Sequence, residues 1–294
     1  MRGALLTGAL SVLLGCSGEA VGELRIRANG INEARDGISA TQTADGWAVE
    51  LDHAVIALQG VRLRTSSGQE ADVEVEPTLV ELVPSPTLVY ELPGVPAQRW
   101  DRFSYHLAPP PATVRNLGVS DDIATRMRAE GWSAYYAGRL VAPAGTTNAD
   151  GMPVTIVPFE LGFPVEVDYQ FCVAGNDRTN GVVVPVNSAA DYEITWHLTH
   201  LFFDSFVEDA ALRVEPLAAR WRGEGPLTME DLNVPLGGLR AIDGRPLTDS
   251  FGNPVVYIPG MTGANTLREF ILQGRPGHFN GLEGFCMTEL RIID

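Results

Sequence analysis

The residues best suited to chemistry are three histidines and two cysteines. The chain has only five His and three Cys in 294 residues. His197 and His200 stand three apart in Trp196-His197-Leu198-Thr199-His200-Leu201-Phe202-Phe203-Asp204, and His278 follows Gly277 in a glycine-rich stretch ending at Cys286. Neutral imidazole is the commonest side-chain ligand for zinc and copper near neutral pH. Three imidazoles gathered in the last third of a His-poor chain point to a metal site with His197, His200 and His278 as ligands. Copper or zinc is the ion such donors suit. Asp204, one turn beyond His200, is the candidate fourth ligand. Asp209 and Glu283 are candidates to orient the imidazoles.

The cysteines say where the chain works and how the histidines meet. Met1-Arg2 precedes an apolar run from Ala4 to Leu14, then Gly15-Cys16. One positive charge, a short apolar stretch and a small residue describe a secretory signal. The run is too short to span a bilayer, which takes about 20 residues. Leu13-Leu14-Gly15-Cys16 resembles a bacterial lipobox. That likeness implies cleavage before Cys16, acylation of its thiol and amine, and an outer-membrane anchor, because Ser17 rather than Asp follows. Several acyl chains hold stably where one is marginal. The alternative is an ordinary signal peptide with a chance Cys. With Cys16 acylated, Cys172 and Cys286 remain in an oxidising compartment and are expected to form a disulfide. Two thiolate metal ligands are the other reading of that pair. The expected organisation is a signal peptide over 1–15, a tether over 16–23 and one domain over 24–294, with 172–294 closed by the disulfide.

Composition removes several functions. A formal charge of -16 opposes nucleic acid, whose phosphates require a basic face, and opposes peripheral binding to anionic lipid. The chain contains no Lys, so Schiff-base chemistry is excluded. No Gly-x-Ser-x-Gly, His-Glu-x-x-His or phosphate-cradling loop is present. Residues 224–232 resemble the end of a calcium loop but lack its Asp ladder. Trp47, Trp132, Trp196 and Trp221 read as core residues before they read as a sugar cleft.

The elements that must hold these residues are mostly strands. Alternating or apolar stretches cover 24–27, 47–55, 59–64 after a bulge at Gly60, 73–83, 102–107, 132–141, 154–157, 165–172, 191–198 and 285–293. Pro84, Pro86, Pro93 and Pro96 read as breaks. Residues 120–130 read as a helix with Ser120 as N-cap and Gly131 just beyond its end. Shorter helices are expected over 216–221, 226–232 and 266–272. The fold class is mainly β, an antiparallel β-sandwich with short decorating helices mostly in the C-terminal third.

Geometry restricts the His pair. Residues three apart in a strand face opposite ways, whereas in a helical turn they share a side. His197 and His200 converge only if the strand ends near Leu198 or Thr199, and a turn capped by the Thr199 hydroxyl would do this. The disulfide would tie strand 165–172 to strand 285–293. With strand 191–198 beside them, His278 would come near the pair. His53 and His106 lie in ordinary strands and read as core or surface residues.

Asp45-Gly46-Trp47 with the pattern after it, Val182-Val183-Val184-Pro185, His197-x-x-His200-Leu201-Phe202, Asp231-Leu232, and Gly277, His278, Asn280, Glu283, Gly284 and Cys286 resemble a group of secreted lipoproteins of myxobacteria. More distantly the layout is similar to MbnP-like periplasmic copper-binding proteins. That resemblance implies copper binding at the periplasm or cell surface. The chain departs from the lipoprotein group at Thr199, where those proteins carry Asp, so no carboxylate stands between the two His. Phe203 stands where they carry an aromatic residue, often Trp. Two functions therefore compete: a lipid-anchored metal-binding module, and a surface adhesion or ligand-binding protein with structural histidines. An enzyme with an open metal position ranks behind both, because no partnered general base is visible.

Overall fold

The computed structural model describes residues 19–71, 73–83, 86–174, 179–207, 210–274, 277–279 and 284–293. The segment expected to be a signal peptide, Cys16, Asp209 and Glu283 lie outside the described residues.

The first half of the chain forms β1 (Val21–Asn29), α1 (Ile31–Asp36), β2 (Ala48–Arg64), β3 (Thr78–Glu81), β4 (Thr87–Pro96), β5 (Arg99–Trp100), β6 (Arg102–Leu107), β7 (Arg115–Leu117), α2 (Asp121–Ala129) and β8 (Ala134–Val141). The second half forms β9 (Ile156–Phe163), β10 (Val165–Val173), β11 (Val182–Val183), β12 (Ala189–Trp196), α3 (Glu215–Ala218), α4 (Leu267–Leu272), β13 (Gly277–Phe279) and β14 (Phe285–Ile292). A four-stranded sheet runs β13-β12-β1-β4. A larger sheet runs β14-β10-β6-β2-β3-β7, with β8 and β9 added alongside β2.

The two sheets share one apolar core. Leu24, Ile26 and Ala28 of β1 point into it while Arg25 and Arg27 face outward, as strand alternation requires. The Trp196 indole N–H of β12 donates to the Tyr136 hydroxyl of β8 at 2.6 Å, joining the sheets inside that core. The middle of β2, Ala54–Leu58, is buried on both faces and does not alternate. Its outer face is covered by α2, whose Ala124 and Met127 pack with Val55, Ala57 and Leu79. A strand covered on both sides is continuously apolar. The α2 helix starts as expected: the Ser120 hydroxyl accepts from the Ile123 N–H, and Gly131 beyond its end adopts a positive φ of 66°.

The mainly-β expectation holds, with local corrections. The sheets are mixed rather than purely antiparallel, because β1 pairs with β12, and β3 with β7, in parallel. The two strands expected on either side of Gly60 are one strand, with the register shifted between Leu58 and Gly60. Only Thr78–Glu81 of the 73–83 stretch is a strand. Pro93 and Pro96 do not break the chain; they sit in β4, an edge strand with no second partner to serve. Residues 226–232 form a turn instead of a helix, because the Asp231 carboxylate accepts from both the N–H and the hydroxyl of Thr228 and closes the chain locally. The α4 helix carries a full capping box between Thr266 and Glu269. The first described strand, β1, begins at Val21, three residues before the expected start. Among the described residues, no helix is long and apolar enough to cross a membrane.

Candidate metal centre

The His pair sits where β12 stops. Trp196 is the last strand residue, and His197 remains extended at φ -96° and ψ 94°. A single 3₁₀ turn, Leu198–Leu201, follows. It is closed by the His200 N–H donating to the His197 carbonyl at 3.1 Å. Leu198, Leu201 and Phe202 are buried and pin the turn to the core. In a 3₁₀ turn, residues three apart nearly eclipse. The His197 and His200 ring centroids accordingly lie 5.7 Å apart. The reversal expected from spacing is present but starts one residue earlier than proposed, and no side chain caps it. The Thr199 cap is therefore corrected; Leu198 enters the turn because its side chain belongs to the core.

His278 arrives by strand pairing. In β13 it stands opposite Thr195, and Gly277 opposite Trp196, so the pairing delivers it to the end of β12. Its ring centroid lies 4.3 Å from that of His197 and 4.9 Å from that of His200. Gly277 makes this approach possible. A Cβ there would come within 2.6 Å of the Tyr105 hydroxyl and the Tyr169 ring, which stack on each other at 4.5 Å beneath β13. The Tyr105 hydroxyl also donates to the His278 carbonyl at 3.3 Å.

The disulfide holds the other flank. Cys172 of β10 is bonded to Cys286 of β14, closing a separation of 114 residues. The expected link between strands 165–172 and 285–293 is present. However, β12 belongs to the other sheet, so the connection to the His pair runs through β13 and not through a shared ladder. The His278 Nδ1–H donates to the carbonyl of Gly284, two residues before Cys286. A carbonyl can only accept, so Nδ1 carries the proton and Nε2 keeps its lone pair.

Burial keeps the His197 and His278 rings neutral. His197 is 8% exposed, and desolvation, reinforced by His278 and then His200, lowers its pKa to about 3. Burial also lowers that of His278, against the opposing effect of the Gly284 hydrogen bond. His197 Nε2 is a buried polar atom with no hydrogen-bond partner among the described residues. Native proteins seldom leave such an atom unpaired.

The other candidate residues are placed elsewhere. Asp204 is buried, but its carboxylate accepts from Arg213 Nε at 2.7 Å and from the Ala211 N–H at 2.9 Å. It braces the loop after the His pair. The Arg213 that holds it lies nine residues away in a loop, where no spacing signal marks it. His53 lies against Glu81 at 2.8 Å, and His106 against Asp168 at 3.1 Å, both within the large sheet. Trp47 and Trp196 are core residues, whereas Trp132 stacks on Tyr135 at 5.7 Å. Among the described residues, no group of three or more His, Cys, Asp or Glu is arranged so that it could hold a metal ion as it stands. Tyr105, Tyr169 and Gly277 were not singled out from the sequence, although a glycine directly before a clustered His was a usable signal.

No family model matches the sequence, and no curated protein matches it. Among solved structures, MbnP from Methylosinus trichosporium is similar over 62% of this chain and 77% of that one, at 13% identity and a TM-score of 0.29. A likeness that slight carries no argument about function.

Proposed function

We propose that the chain is a lipid-anchored module that binds copper or zinc through His197, His200 and His278, without turnover. One observation carries this reading: three imidazoles from two chain segments stand with centroids 4.3, 4.9 and 5.7 Å apart, around a buried nitrogen with no partner among the described residues. Imidazoles bound tetrahedrally at metal–nitrogen distances of about 2.0 Å have centroids about 5 Å apart. The rings have the right separation, and rotation about their broad Cβ–Cγ torsions is what convergence of the nitrogens requires. The donor set fits a borderline ion, and the Gly284 carbonyl fixes the His278 tautomer as backbone acceptors do for metal-bound imidazoles. Asp204 serves as a brace in this reading. Structural histidines fit less well, because a purely structural imidazole would have both ring nitrogens paired.

The anchor is acylated Cys16 in the outer membrane. Only residues 17–20 separate it from β1. The parallel register from Glu23↔Ala189 to Asn29↔Thr195 carries β12 away from that attachment by about 20 Å at the usual strand rise. On this reading the His cluster stands at the end of the small sheet remote from the bilayer.

Titration of the mature protein with Cu(II) and Zn(II) against a competing chelator tests the metal. One tightly bound equivalent is expected, with affinity falling roughly a hundredfold or more in His197→Ala and in His278→Ala. Failure to bind either ion, or unchanged affinity in both variants, would overturn it. Loss of labelled palmitate and of membrane association in Cys16→Ala is the expected result for the anchor; persistent association would overturn that part.

A further inference from the structure

The His cluster opens onto a cleft of about 880 Å³. That volume lies within the roughly 300–1,000 Å³ typical of small-molecule sites. His200 and His278 form part of its lining, with Phe203, Phe206 and Phe285 around them and Met261 beside them. In a chain of net charge -16, none of the described lining residues is Asp, Glu or Arg. The described lining is thus apolar or neutral and polar. Two of the three aromatic side chains already have ring partners. Phe206 stacks on the buried Phe270 at 4.2 Å with the planes 8° apart, and the Phe203 ring lies 5.2 Å from His200. Phe285 is 56% exposed and Met261 fully so, leaving apolar surface that a ligand would cover. Flat, rigid aromatic surfaces favour a flat aromatic guest over a flexible chain, which would lose rotamer freedom on binding.

We infer that this cleft binds a small aromatic azole, its ring body against Phe203, Phe206 and Phe285 and its ring nitrogen toward His200 and His278. Coordination of that nitrogen to an ion held by the cluster rests on the proposed metal function; the aromatic part does not.

The test uses 4-phenylimidazole, imidazole and 1-hexylimidazole, titrated by calorimetry into the mature protein, first metal-free and then loaded with Co(II). Metal-free protein is expected to bind 4-phenylimidazole at least tenfold more tightly than either other compound. Phe285→Ala and Met261→Ser, both at exposed positions that leave the core intact, are expected to remove most of that preference. Equal binding of imidazole and 4-phenylimidazole would overturn the proposal. So would tighter binding of the hexyl compound, which would make the cleft a slot for acyl chains, or a stable dimer that excludes the probe. With Co(II) present, a further tightening and a change in the cobalt d–d bands are expected. If Co(II) does not bind while the phenyl preference persists, the metal reading fails and the cleft stands. If Co(II) binds but the preference is missing, the cleft proposal fails alone.

Discussion

The molecule contains two kinds of histidine, and the contrast between them is instructive. In the large sheet, His53 and His106 each face a carboxylate on a neighbouring strand and remain partly exposed. At the end of β12, His197, His200 and His278 face one another, and burial holds the His197 and His278 rings neutral. An imidazole beside a carboxylate has a ring nitrogen already engaged. Imidazoles beside imidazoles in a desolvated pocket are wired to offer lone pairs, the requirement for binding a cation other than a proton. The same side chain thus serves two purposes, set by the element that presents it.

The largest effect that would separate the two groups is loss of the disulfide. The Cys172–Cys286 bond closes a loop of 114 residues, worth about 4–5 kcal/mol on the chain-entropy model. It also anchors the Gly284 segment that fixes the His278 ring. The Cys172→Ala, Cys286→Ala double variant should lose stability of about that size in urea denaturation and bind metal more weakly. The His53–Glu81 pair lies on β2 and β3, neither of which carries a cysteine of that bond. Undiminished metal affinity in the folded double variant would show that β13 positions His278 without it.

Acid should act on the cluster next. Between about pH 6.5 and 3, the folded state leaves His197 neutral while the unfolded chain protonates it, so unfolding takes up a proton. This contribution to stability is complete above pH 6.5 and is lost as pH falls toward 3, with a slope of up to about 1.4 kcal/mol per pH unit. The His197→Asn variant should flatten that part of the stability profile, measured by urea denaturation at stepped pH. An unchanged slope would mean that the ring is not desolvated as described.

How far the sequence revealed this arrangement depends on how local each determinant is. The end of β12 was legible because His197 and His200 cannot share a side on a straight strand, and because Leu198, Leu201 and Phe202 demand burial. The Ser120 cap and the Thr266–Glu269 box were legible for the same reason: their partners lie within four residues. The parallel pairing of β1 with β12 was not, since its partners lie some 165 residues apart and no turn encodes them. Nor was β4, because a proline reads as a break unless one already knows that the strand lies at an edge. Asp204 misled for a related reason. Its spacing from His200 was that of a ligand, but Arg213, which takes its carboxylate, enters through a loop with no periodicity.

A smaller effect isolates the role of β13. Gly277→Ala would place a Cβ within 2.6 Å of the Tyr105 hydroxyl and the Tyr169 ring, forcing the strand outward at an overpacking cost of about 1–3 kcal/mol. Metal affinity should fall with it, because His278 is the next residue. Gly60→Ala, in the large sheet, meets no atom within 4 Å and should leave both quantities nearly unchanged. Equal behaviour of the two variants would remove the steric argument for Gly277.

The smallest expected effects fall on the carboxylate-paired histidines, and they test the other half of the contrast. The His53 side chain is 42% exposed, and solvent screens its contact with Glu81. Pairs of this kind contribute about 0–1 kcal/mol. Glu81 also accepts from the Ala54 and Val83 N–H groups, so removing the imidazole leaves the carboxylate satisfied. His53→Ala and His106→Ala should therefore shift the urea midpoint little and leave Cu(II) and Zn(II) affinity at the wild-type value. A drop in metal affinity in either variant comparable to that of His197→Ala would mean that the ion binds in the large sheet, and the distinction between carboxylate-paired imidazoles and imidazoles that donate lone pairs would not hold in this fold.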